Sequence, residues 1–137
     1  MLSFKKEERL CSQKLIEQLF HKGSSFFSHP FKIIWLPAKL QSTLPVQVCI
    51  SVPKRKFKKA VDRNRVKRLI REAYRKNKDE ILYSFMKDKG YSCALMLVYS
   101  GNSIFTASEI ESKLIISLIR LTKEYERADK GDIIATN

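Results

Sequence analysis

Between two apolar runs, "VQVCISV" (46–52) and "CALMLVY" (93–99), lies "AVDRNRVKRLIREAYRKNK" (60–78), and the reading of this middle stretch decides the fold. Arginine or lysine stands at nearly every second position, yet Val66, Leu69, Ile70, Ala73 and Tyr74 recur at helical spacing. At about 100° per residue they share one side, which can pack on a sheet. Asn64, Arg68, Arg71 and Arg75 gather on the opposite side, within a sector of about 60°. They form a ridge about 17 Å long at the rise of an α-helix. The pattern predicts a helix over roughly 62–77, with Asp62 capping its free N–H groups. A strand, a helix and a strand in that order make a βαβ unit with parallel outer strands.

Working outward, 46–52 alternates, with Val46, Val48, Ile50 and Val52 on one face and Gln47, Cys49 and Ser51 on the other. That is a strand with one firmly buried face, closed by Pro53. The uninterrupted apolar run 93–99 suits a strand covered on both faces. "FKIIWLP" (31–37) reads as a further strand and "SSFFSHP" (24–30) as a loop. In the N-terminal part, Leu10, Leu15, Leu19 and Phe20 predict an amphipathic helix over about 10–21, stopped at Gly23. Residues 79–88 read as a short helical or irregular link. Thr106 and Glu109 have capping-box spacing, and Ile110, Leu114, Leu118 and Leu121 form the core stripe of a last helix ending near 125. The coarse order is α-β-β-α-β-α, with room for one more strand in 22–30 or 37–45. One domain of 137 residues is expected, an α+β fold with loose termini at about 1–8 and 127–137.

Charge gives the first indication of a partner. The chain carries 27 basic and 14 acidic residues, and 54–78 alone holds thirteen basic against two acidic ones, a net of +11 of the total +13. So concentrated a field opposes folding by self-repulsion unless a polyanion meets it. Arg63, Arg65, Lys67 and Arg68 also crowd the N-terminal half of the helix, where the backbone dipole is already positive. An ordinary solvated helix places acids there. Arginine's planar fork suits phosphate, so nucleic acid is the leading partner. A membrane surface would require large apolar residues beside the basic face, and this helix spends its apolar side on the core. A nuclear-localisation run explains neither the apolar stripe nor Asn64. A DNA-binding helix-turn-helix regulator stays open as a third reading, although no second helix joins 62–77 through a three- or four-residue turn.

The three cysteines, Cys11, Cys49 and Cys93, are widely spaced and form neither a disulfide framework nor a zinc motif. No segment approaches ~20 apolar residues, so a cytoplasmic protein without membrane attachment is expected. His21 and His29 stand alone, and no HExxH, GxSxG, P-loop or GxGxxG motif occurs. Asp62 and Glu72 read as a cap and a local ion-pair partner, not as a nuclease pair. Phe26, Phe27, Phe31 and Trp35 are candidates for stacking on single-stranded bases, with Phe31 and Trp35 read rather as core.

At "SVPKRKFKKAVDRNRVKRLIREAYR" (51–75) the chain resembles the protein subunit of bacterial ribonuclease P. The likeness rests on Ser51-Val52, basic residues at 54–56, Ala60-Val61, Arg63-Asn64-Arg65, Lys67-Arg68 and Arg71-Glu72, and extends over nearly the whole chain. It implies the order αβββαβα, a single-domain α/β sandwich whose small mixed sheet has a left-handed βαβ crossover containing the basic helix. It also implies a partner RNA that carries the active site and its Mg²⁺ ions, together with removal of the 5′ leader from precursor tRNA. By the same resemblance, Lys54, Arg55, Lys56, Arg63, Arg65, Lys67, Arg71 and Arg75 would meet the catalytic RNA. Phe20, Lys32, Ile34, Gln47, Asn64 and Arg68 would line the leader path, in a cleft between the first helix and the sheet. Neither a catalytic residue nor a stable protein partner is implied. Ile16 stands where many members have phenylalanine, and "YSGNS" (99–103) follows the last strand where arginine is common. A ribosomal or other structural rRNA-binding protein is the alternative of a different class.

Overall fold

The computed structural model describes residues 6–40 and 43–136, the side chains of 129–136 excepted. Its elements are α1 (Gln13–Lys22), β1 (Ser24–Ser28), β2 (Phe31–Pro37), β3 (Val46–Ser51), α2 (Ala60–Lys78), α3 (Ser84–Lys89), β4 (Cys93–Tyr99) and α4 (Ala107–Thr136). A π-helical turn, Asp79–Tyr83, joins α2 to α3 without a break. The sheet order is β1-β2-β4-β3, with β3 and β4 parallel and the other pairs antiparallel. This is a mixed α+β single domain.

Three layers result. On one face α2, α3 and α4 cover the main core, where Val66, Ile70 and Tyr74 of the predicted α2 stripe and Ile110, Leu114 and Leu118 of α4 bury completely, while Leu69 is only partly covered. Burying each aliphatic side chain of this kind contributes about 1.5–3 kcal/mol. On the other face α1 lies over β2 and β4, and Leu19 packs with Ile34, Ala94 and Met96. β4, sandwiched between the layers, is buried along almost its whole length. That is why its sequence shows no alternation.

Five boundaries differ from the sequence expectation. The loop expected at 24–30 supplies β1, whose Phe26 points into the main core while Phe27 stays exposed. α1 begins at Gln13 rather than residue 10, because Arg9 is bridged in parallel to Val48 and the Leu10 N–H donates to the Val48 carbonyl at 2.9 Å. Ser12 then caps the helix by accepting from the Leu15 N–H, and Gly23 closes it, where a Cβ would sit 2.4 Å from the Leu19 carbonyl. α2 begins at Ala60, so Asp62 lies within its first turn and is not the cap; Lys59 holds that position without a side-chain bond. The backbone of α4 is helical to Thr136, well past 125. Finally, of the expected loose N-terminus, 1–5 lies outside the described residues, whereas Lys6–Glu8 forms a 3₁₀ turn.

Glu8 ends that turn fully packed. Its carboxylate pairs with Lys78 and accepts from the Tyr83 hydroxyl at 3.0 Å, and both charged side chains are 2% exposed. The Lys78 ammonium also lies 5.3 Å from the Tyr83 ring centre. The network fastens the N-terminal segment to the junction of α2 and the π turn. Lys78 therefore belongs to the core and leaves the basic surface.

Candidate nucleic-acid interface

The basic surface begins in the loop after β3. Phe57 is buried against Tyr99, with ring centres 6.0 Å apart, and the Pro53 carbonyl accepts from the N–H groups of Lys56 and Phe57. With its middle anchored, the loop holds Lys54, Arg55, Lys58 and Lys59 in solvent. Two predicted contacts are partly engaged within the protein. Arg63 donates to the Phe57 and Lys58 carbonyls, both at 2.8 Å, and thereby closes the loop onto α2. Lys56 donates to Asn102 at 2.7 Å and ties the same loop to the turn after β4.

Along α2 the predicted ridge is present. Asn64, Arg65, Arg68 and Arg71 are exposed, and among the described residues the three arginines make no ion pair. Arg75 differs from them. It grips Glu72 at 2.5 Å, and that hydrogen bond holds the Glu72 carboxyl below its ordinary value. The ridge is thus most open over its N-terminal two thirds.

From the ridge a basic path turns toward α1. Lys67 and Arg71 line a depression of about 240 Å³ with Arg9, Cys11, Val48 and Ile50. Arg9 and Cys11 also belong to a larger one of about 500 Å³, which runs between the start of α1 and β3 past Lys14, Gln18, Lys39 and Gln47. Five cations line the two depressions and no acid does. Cys49 is half-buried on the same face; burial raises its thiol pKa, and Lys67 offsets part of that rise.

The predicted leader residues are not all in one place. Gln47 lines the larger depression, and its amide donates to the Glu7 carbonyl at 3.2 Å. Phe20 is 63% exposed on α1. Lys32 is half-buried on β2, with its ammonium 5.5 Å from the Phe27 ring centre. Ile34 is 8% exposed beneath α1 and presents almost no surface to a ligand. Sequence reasoning missed Arg9, Lys14, Gln18 and Lys39, because only the pairing of Arg9 with β3 brings them to Gln47. Phe31 and Trp35 are core, as read.

Among the described residues, no three His, Cys, Asp or Glu side chains come together as a metal would require, and no helix is long and apolar enough to cross a membrane. What the surface offers is a cationic track with polar side chains, suited to a phosphodiester strand, with Phe20 exposed elsewhere on α1.

Comparison with known proteins bears directly on this surface. The profile of the family described as Ribonuclease P matches residues 4–97. The ribonuclease P protein component of Porphyromonas gingivalis is 30% identical over 116 residues, which cover 85% of this chain and 84% of that protein. The counterpart from Petrotoga mobilis is 40% identical over 76 residues, 56% of this chain and 61% of that protein. In fold, the chain is similar to the RNase P protein of Staphylococcus aureus, with a TM-score of 0.65 at 21% identity, covering 86% of this chain and 97% of that one. It is equally similar to the RNase P protein of Thermotoga maritima, at 0.66 and 21%, covering 82% and 96%.

Proposed function

This chain belongs to the ribonuclease P protein family and is a protein subunit of ribonuclease P, and on that premise we propose how its surface serves the enzyme. The ridge of α2 and the loop 54–59 dock on the catalytic RNA, with Arg65, Arg68 and Arg71 as the principal phosphate contacts. The 5′ leader of precursor tRNA follows the track past Lys67 and Arg9 into the groove between α1 and β3. Asn64 and Arg68, beside Lys67 and Arg71 on α2, are assigned to the leader where it leaves the ridge. One observation carries the reading: the cationic path from α2 to α1 has no acid on its lining.

In this reading the RNA performs the hydrolysis. The Mg²⁺ that the RNA would hold would supply the activation of water, and no residue of this chain is assigned to the metal. The protein's part is electrostatic and positional. It neutralises phosphates that would otherwise repel one another in the folded RNA, and it holds a flexible strand in one path. A cytoplasmic location follows from the substrate.

Reconstitution tests the proposal. Purified protein added to ribonuclease P RNA at low Mg²⁺ should stimulate precursor-tRNA cleavage. An absence of stimulation would remove the leader and catalytic-RNA assignments.

A further inference from the structure

The register of the sheet lines up four residues on its α1 side: Phe27 of β1 opposite Lys32 of β2, Lys32 opposite Val98 of β4, and Val98 opposite Ser51 of β3. This row crosses the whole sheet, about 14 Å at the usual strand spacing. Its Ser51 end leads directly into the basic loop that opens at Lys54. At its other end stands Phe27, 64% exposed on an edge strand, where a large apolar ring has no folding role to explain it. The Lys32 ammonium lies over this ring at 5.5 Å. Behind it, Arg120 of α4, paired with Glu124 at 3.6 Å, donates to the Phe27 carbonyl at 2.6 Å, so the strand edge is held. The Arg120 guanidinium also covers the buried neighbour Phe26, 4.6 Å from its ring centre. Past Arg120, Lys123 continues the positive charge beside exposed Ile116 and Ile119.

The geometry points to Phe27 as a base-stacking station for the 5′ leader at the β1 edge of this row, with the Lys32 ammonium beside it for a flanking phosphate; this rests on the leader reading above. A flat exposed ring beside an ammonium is complementary to a single-stranded nucleotide, which has a π-face and an adjacent anion. Continuity of the row with the basic loop favours RNA over an acidic protein partner. Phe27 therefore acts on leaders long enough to cross the sheet and is silent for short ones.

The test uses the holoenzyme and a series of precursor tRNAs whose leaders grow one nucleotide at a time. With wild-type protein, affinity should rise in steps, including a late step once the strand reaches β1. Phe27→Ala should erase that late step, a loss of at least about fivefold at the lower end of a stacked base's contribution. It should leave short-leader binding unchanged. Phe27→Trp should restore the step, Phe27→Leu should not, and Lys32→Gln should reduce its salt dependence. A late step that survives Phe27→Ala overturns the station while leaving the leader groove intact. Equal losses at every leader length also overturn it, since they indicate a structural role or a protein-docking role. A wild-type enzyme indifferent to leader length overturns both readings.

Discussion

Each arginine on α2 has its own electrostatic circumstances, and their consequences separate in experiment. Arg65 and Arg68 project into solvent from the half of the helix where the backbone dipole adds to their charge. Replacing either by alanine should weaken binding to ribonuclease P RNA and lower the log–log salt slope by about one for each phosphate no longer neutralised. An unchanged slope would mean that the side chain does not touch phosphate. Phe20→Ala should reduce affinity for precursor tRNA more than for mature tRNA; equal losses would take Phe20 out of the leader path. The cysteines give a chemical readout of the same surface. Burial pushes the Cys93 thiol up to about 12 and raises that of Cys49. A raised thiol pKa means less thiolate at a given pH, so at pH 8 alkylation should reach exposed Cys11 first, Cys49 slowly, and Cys93 only on unfolding. Because Cys11 lines both depressions, bound RNA should slow its labelling. Labelling unaffected by RNA, followed by mass spectrometry, would place the strand elsewhere.

At the scale of elements, the pair of Glu8 and Lys78 sets the strongest expectation. Removing one partner leaves a charge buried, so Lys78→Met should cost about 3–5 kcal/mol in urea unfolding. The double variant Glu8→Leu/Lys78→Met should recover much of that loss, because a shape-matched apolar pair replaces the charges. A single variant as stable as wild type would contradict the burial. Nothing in the sequence announces this pair. Lys78 follows a run of surface cations and Glu8 sits in a charged stretch, so local pattern puts both in water, and only a contact across 70 residues buries them. Elements with strong periodicity were legible: α2 and α4 from their apolar stripes, β3 from alternation, β4 from its apolar run, and the Thr106–Glu109 cap, in which each side chain accepts from the other's backbone N–H. β1 was legible only as room for one more strand in 22–30 or 37–45 and through the αβββαβα order of the resemblance, because serines flank its two phenylalanines and its strand character comes from pairing with β2. The early start of α2 was hidden for a similar reason: Arg63, not Asp62, secures that end by reaching back to two carbonyls.

For the whole molecule, the site divides into what one helix can show and what only assembly creates. The ridge is a property of a single helical wheel and could be drawn from residues 64–75. The groove requires α1, β3, residue 39 and the segment 9–10 together, so Gln47 was found through resemblance alone and Arg9, Lys14 and Lys39 were missed. Resemblance also named Ile34, which the packing of α1 covers. The segment 6–10 has one more consequence, for the order in which the chain can be finished. It is synthesised early, but its partners arrive late: Val48 with β3, then Lys78 and Tyr83 beyond the basic helix. A nascent chain halted before Lys78 lacks the bolt that holds Glu8, although the residues that line the track, Arg9 to Arg71, have all been made. The segment that positions Arg9 is thus bolted in place only after the helix that most attracts RNA has been made.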